Sequence, residues 1–128
     1  MEWSEAYGVD WAGTAVLDYG GGLLGTANWG FNAAYGAPLV AVGTEGRLTA
    51  PHGWRPPPGE PALWLDVGDE TTPLSVERAD DYVGEVLDLS TAIRGEREPR
   101  YAGEPLDATM RLLDACFASD KSGRAEAV

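Results

Sequence analysis

Two periodicities divide the chain. From Trp11 to about Val76 the apolar residues recur at every second position, the pattern of strands with one face covered. Trp11, Gly13, Ala15, Leu17 and Tyr19 alternate with Ala12, Thr14, Val16 and Asp18. After Gly20-Gly21-Gly22 the alternation resumes. Leu23, Gly25, Ala27, Trp29 and Phe31 fall on one face, and Leu24, Thr26, Asn28, Gly30 and Asn32 on the other. Two such runs joined by glycines predict an antiparallel hairpin. A third run, Leu39 to Val42, turns at Gly43-Thr44-Glu45-Gly46 and returns through Arg47-Leu48-Thr49 as a second hairpin. Pro51 to Pro61 is rich in proline, which cannot donate to a ladder, and predicts a surface loop. Ala62 to Val67 and Leu74 to Glu77 supply two more strands around a turn at Gly68-Asp69-Glu70-Thr71.

Beyond that point the period lengthens to that of a helix. Asp80 or Asp81 can cap a helix whose apolar positions Tyr82, Val86, Leu89 and Ile93 follow i, i+4, i+7, i+11, and Gly95 stops it. Glu96 to Arg100 form a charged loop. A second helix opens near Pro105, with Leu106, Met110, Leu113 and Phe117 as its apolar stripe. Ala115 and Cys116 allow close packing, and Lys121 and Gly123 stand where the last turn and its stop are expected. Arg124 to Val128 suit a short final strand. Strands in a run followed by helices in a run predict an α+β fold, residues 1–128 forming one domain. Its expected form is an open, mainly antiparallel sheet of about six strands, with the two C-terminal helices packed on one face. The other face is left open, and five Trp add large apolar area, so burial against a second subunit is expected.

Charge narrows the partners. Nine Lys+Arg against 21 Asp+Glu leave a net charge of -12, which argues against nucleic acid and anionic membranes, both bound through basic patches. A single cysteine, Cys116, provides neither an internal disulfide nor a multi-thiolate metal site. Met1 to Asp10 lack the basic start and apolar core of a signal peptide, so the cytoplasm is the expected compartment.

The most tempting chemical motif is a decoy. Gly20-Gly21-Gly22-Leu23-Leu24-Gly25 spells G-x-G-x-x-G after a strand. A dinucleotide site needs those glycines to open a helix that receives the pyrophosphate, whereas here they lead into strict alternation. His52 is the only histidine and reads as a loop residue. Cys116 reads as a small apolar packing residue. Glu85, Asp88, Asp107 and Asp114 read as solvated helix faces, without a carboxylate couple for acid/base work. No metal site and no catalytic set are visible.

The order of these pieces resembles the C-terminal domain of the Gfo/Idh/MocA oxidoreductases, the glucose-fructose oxidoreductase and inositol dehydrogenase family. The resemblance rests on the run from Val9 to Thr26, on the hairpin Leu39-Val40-Ala41-Val42-Gly43-Thr44-Glu45-Gly46-Arg47-Leu48, and on Tyr82 to Leu89 with Ala92-Ile93-Arg94-Gly95. It continues in Asp107-Ala108, Leu112-Leu113-Asp114-Ala115 and Ser119 to Arg124. It implies an enzyme whose N-terminal Rossmann domain binds NAD or NADP and carries a lysine in a Glu-Lys-Pro motif. An Asp/His helix would precede the sheet. Neither part is found in these residues, and His52 follows the V-G-x-x-G hairpin and is not that histidine.

The resemblance implies a part that walls a substrate pocket and mediates oligomerisation, with no cofactor in this chain and no catalysis of its own. It also implies a substrate-contacting tyrosine shortly before the V-G-x-x-G hairpin, and Tyr35 stands there, with Asn32 and Trp29 as weaker neighbours. Tyr35 either hydrogen-bonds a sugar hydroxyl or anchors the strand ends. Two functions follow as expectations. One is the C-terminal substrate-binding and oligomerisation part of an NAD(P)-dependent sugar or polyol oxidoreductase. The other is a free-standing oligomeric binding or scaffolding module that has lost redox chemistry. The expected partners are further copies of the chain through the open sheet face, a separate Rossmann-domain subunit, and a small polar ligand.

Overall fold

A computed structural model describes residues 1–34, 36–53, 56–76, 80–100 and 102–128, with only the backbone described at Asp81. Among these residues seven strands precede two helices: β1 (Glu2–Ser4), β2 (Val9–Asp18), β3 (Leu24–Gly30), β4 (Leu39–Val42), β5 (Arg47–Ala50), β6 (Leu63–Val67), β7 (Glu70–Leu74), α1 (Asp81–Ile93) and α2 (Glu104–Ser122). The α+β class, the antiparallel pairing and the C-terminal helices are those expected from the two periodicities. The strands are divided between two sheets, ordered β1-β2-β3 and β4-β5-β6-β7. Two compact units accompany this division, residues 1–33 with 86–128, and residues 34–85.

In the first unit β2 and β3 pair from Ala12↔Gly30 to Asp18↔Leu24. The three glycines between them have φ of 77°, 60° and 85°, a left-handed run that a side chain would strain. Tyr19 N–H donates to the Leu23 carbonyl at 3.0 Å, and the Asp18 carboxylate accepts the Gly20 N–H at 2.8 Å. The G-x-G-x-x-G sequence therefore closes a hairpin, and a strand follows it. Register places Gly13, Ala15 and Leu17 of β2 on one face with Gly25, Ala27 and Trp29 of β3. Thr14 and Asn28, hydrogen-bonded at 2.8 Å, lie on the other.

In the second unit, β4 and β5 form the expected hairpin across Gly43–Gly46. The β6–β7 turn is tighter than the sequence suggested. It uses Gly68 (φ 58°) and Asp69 alone, so Glu70 and Thr71 already belong to β7. Pro73 is tolerated because β7 is an edge strand, where a missing N–H faces outward. The strand expected from Leu74 to Glu77 ends at Leu74; Ser75 and Val76 lie outside any strand, and Glu77 lies outside the described residues. Leu39, Ala41, Leu48, Ala50, Leu63, Leu65 and Leu74 share one face through the register, and Ala50 is the buried apolar residue among them. On the opposite face Arg47, Asp66 and Thr71 form a row across three strands.

Helix ends follow their sequence signals. The Asp80 carboxylate accepts the Val83 N–H at 3.1 Å and caps α1. Gly95 (φ 72°) ends it, its N–H reaching the Ala92 carbonyl while Glu96 N–H reaches Thr91, a Schellman arrangement. Gly123 ends α2 in the same left-handed conformation. Arg124 to Val128 form no strand, contrary to the expectation. The Ser119 hydroxyl donates to the Arg124 carbonyl at 2.6 Å, and Ser122 donates to the Glu126 carboxylate at 2.7 Å. These contacts hold the segment to the helix end, and with the Arg124 N–H donating to the Ser122 hydroxyl at 3.2 Å both backbone groups of Arg124 are taken from any ladder.

The apolar stripes of both helices lie where they were not expected. On α2 the partly covered positions are Ala108, Leu112, Ala115, Cys116 and Ser119. The predicted stripe stays in solvent, with Leu106 and Met110 at 54%, Leu113 at 47% and Phe117 at 39% exposure. On α1 the partly covered residues are Asp88, Ser90, Thr91 and Ala92, while Tyr82, Val86, Leu89 and Ile93 are exposed. Total accessible surface is correspondingly large. The mass scaling of folded proteins gives roughly 6,600 Å² for one body of 13.6 kDa and about 7,900 Å² for two bodies sharing that mass. This chain exposes 10535 Å².

Candidate functional site

A concavity lies within the first unit, between β2 and α2. Small residues make it. Ala108, Ala115 and Cys116 line the space beside Leu17 at helical spacing and leave it unfilled. The resulting cavity has a volume of about 600 Å³ and is closed at one side by Glu126, Ala127 and Val128. Leu17, Leu112 and Val128 make its walls apolar, and Asp18, Tyr19, Ser119 and Glu126 supply its polar edge. The polar edge is already engaged. Asp18 holds the glycine turn, Ser119 the chain end and Glu126 the Ser122 hydroxyl. The chemistry this arrangement supports is binding of a small, largely apolar body, with orientation set from one edge.

A second anchor lies beside it. The Trp29 ring covers Gly13 so closely that a Cβ there would overlap the indole. The Trp29 indole N–H donates to the Asp10 carboxylate at 2.8 Å. Trp11 is flanked by Phe31 at 5.7 Å and by Tyr7 at 6.0 Å, the latter pair stacked. Trp3 meets Phe117 of α2 at 5.9 Å, and the Met1 amino group is paired with Asp120. The last two contacts tie α2 to the N-terminal strand. A small space of about 100 Å³ remains between Met1, Trp29, Cys116 and Asp120.

Of the three residues expected to touch substrate, Trp29 and Asn32 are among the described residues. Tyr35 lies outside them. Trp29 has its polar atom committed to Asp10 and its ring to Gly13. Asn32 is exposed, its amide oxygen folded back beside Gly30. Cys116 lines the cavity only partly covered, although the sequence marked it as a packing residue. What sequence reasoning missed is the cavity itself. Its signal was the small-residue spacing Ala108, Ala115 and Ser119, which the larger stripe on the other side of α2 outweighed.

Electrostatics elsewhere is structural. The Asp66 carboxyl is held below the ordinary aspartate range by the Thr71 hydroxyl at 2.7 Å and then by Arg47 at 2.9 Å. Asp88 is lowered first by the Arg100 backbone N–H at 3.1 Å and next by the Arg97 guanidinium, which ties the loop after α1 to the helix. Among the described residues no group of three His, Cys, Asp or Glu side chains is placed to hold a metal ion. No helix among them is long and apolar enough to cross a membrane. No protein-family model, curated protein or solved structure matches the chain.

Proposed function

We propose that this chain is an assembly and binding domain that completes its fold against another protein surface. The observation that carries this reading is the outward apolar stripe on each helix. Leu106, Met110 and Leu113 on α2, and Val86, Leu89 and Ile93 on α1, have the spacing of packed helix faces and stand in solvent. In its more specific form, the domain is the C-terminal substrate-binding and oligomerisation part of an NAD(P)-dependent sugar or polyol oxidoreductase. That form is supported by the order of hairpins and helices that resembles the Gfo/Idh/MocA family. The nicotinamide and the proton-transferring groups then belong to the partner, and the cavity between β2 and α2 supplies pocket wall.

Native mass spectrometry with sedimentation at micromolar concentration tests the assembly. A stable complex is the expected result, either of this chain with itself or with a co-expressed Rossmann-domain protein. A folded monomer whose thermal transition is independent of concentration overturns it. In the co-expressed complex, polyol-dependent reduction of NAD or NADP supports the oxidoreductase form. Self-assembly that excludes the Rossmann protein supports instead a free-standing module, a reading favoured by the uncharged open edge of the second sheet.

A further inference from the structure

We infer that the outer edge of β4 is a pairing site for β4 of a second copy of this chain, in one defined antiparallel register. The inference rests on the assembly reading above and names the contact that would carry it. The four-stranded sheet has two ends that differ in chemistry. β7 is guarded, with Glu70 and Pro73 in its five residues. β4 is not. Pro38 to Gly43 contain no charge, and inside the strand Leu39, Val40, Ala41 and Val42 include no proline, bulge or lysine to deter pairing. Val40 is 57% and Val42 77% exposed.

Hydrogen-bond phase fixes which groups face outward. Gly43 N–H donates to the Gly46 carbonyl at 2.9 Å, so that pair is hydrogen-bonded across the hairpin. Alternation then makes Ala41↔Leu48 and Leu39↔Ala50 the hydrogen-bonded pairs with β5. Val40 and Val42 consequently turn their N–H and C=O groups away from β5, toward the open edge. A two-fold axis at Ala41 sets Val40 of one copy opposite Val42 of the other, and the reverse. All four outward donors and acceptors of each copy are then used in four hydrogen bonds. The valines meet as β-branched neighbours on one face, and on the other the small Ala41 side chains meet at the axis. Copies carrying a charge of -12 repel one another, and this edge adds no charge of its own to that repulsion. The free edge of β3 is the competitor. The phase set by Phe31 N–H to the Trp11 carbonyl turns Leu24, Thr26, Asn28 and Gly30 outward there, a poorer set of strand formers.

The register gives a positional test. In a Cys116→Ala background, Ala41→Cys places two thiols across a non-hydrogen-bonded pair, where Cα atoms approach about 4.5 Å, within disulfide reach. Mild oxidation should give a covalent dimer with Ala41→Cys and none with Val40→Cys, whose thiols face valines. Val40→Pro removes an outward N–H while leaving the β4–β5 ladder intact, and should weaken dimerisation by about tenfold or more. If the chain is oligomeric but Ala41→Cys does not cross-link in preference to Val40→Cys, the edge pairing is wrong and the assembly reading survives. A folded monomer overturns both. Should Val40→Pro fail to fold, the comparison of the two cysteine positions still decides.

Discussion

If the outward stripe of α2 is an interface, replacing it must cost association, and the structure sets the size of that cost. Leu106, Met110 and Leu113 retain about half of their surface in solvent. Fully burying such a side chain contributes roughly 1.5–3 kcal/mol, so covering the remaining half contributes about 1 kcal/mol each. A triple variant, Leu106→Gln, Met110→Gln and Leu113→Gln, preserves side-chain length and helix propensity without adding charge. It removes about 3 kcal/mol of burial, and glutamine amides closed off from water add to the loss. The dissociation constant should rise by about 100-fold or more. Sedimentation velocity over a dilution series measures that shift, and far-ultraviolet circular dichroism at one concentration reports whether α2 survives. The reasoning is refuted if the triple variant associates as tightly as the parent. Surface substitutions away from an interface usually change stability by no more than about 0.5 kcal/mol, so an unchanged Tm together with unchanged mass would show that the stripe faces water in the working protein.

Two further outcomes probe the units separately. Because Asp66 is held below the ordinary aspartate value of 3.8, its charged form stabilises the fold above that pH, and the contribution is lost as pH falls through the depressed value. Removing its first-named donor by Thr71→Val should move the Asp66 titration back toward the ordinary range, as followed by carboxyl-carbon NMR; an unmoved titration would contradict the assigned cause. Gly13→Ala forces a methyl into the Trp29 ring, and the displaced indole loses Asp10. A loss of about 1–3 kcal/mol is expected, read by denaturant unfolding with Trp fluorescence, and Trp29→Leu in the same chain should relieve the overlap.

Much of the local architecture was legible because it is written in backbone chemistry. The glycines at 20–22 had to be a turn, since the residues after them alternate with period two. Asp80, Gly95 and Gly123 mark helix ends by side-chain capping and left-handed φ, which depend on single residues. What was not legible depends on partners in space. Gly68-Asp69 closes a tighter turn than the polar run to Thr71 suggested, because β-branched Thr71 and Thr72 pair well opposite Asp66 and Leu65. The division of the strands into two sheets leaves no local mark, as it depends on pairing across the segment between Gly30 and Leu39. Of the expected site, Tyr35 lies outside the described residues, and the cavity between β2 and α2 is built by Ala108, Ala115 and Cys116, whose smallness leaves little hydrophobic signal.

The stripe on α2 shows how a correct period can still give the wrong face. Positions 106, 110, 113 and 117 and positions 108, 112, 115 and 119 have the same helical spacing, offset by two residues and hence by roughly 200° around the axis. The first set is larger and more apolar, so burial favours it whenever only one side of the helix is covered. The structure covers the second, while of the first set Phe117 alone meets a ring, that of Trp3, and Leu106, Met110 and Leu113 are left exposed. A helix apolar on both sides is stable in water only if both sides lose water. Within the described first unit the sheet accounts for one side alone. The remaining side therefore calls for a second covering surface, and its lack of charge, in a chain of net charge -12, argues for a partner that meets it by apolar packing rather than by ion pairing.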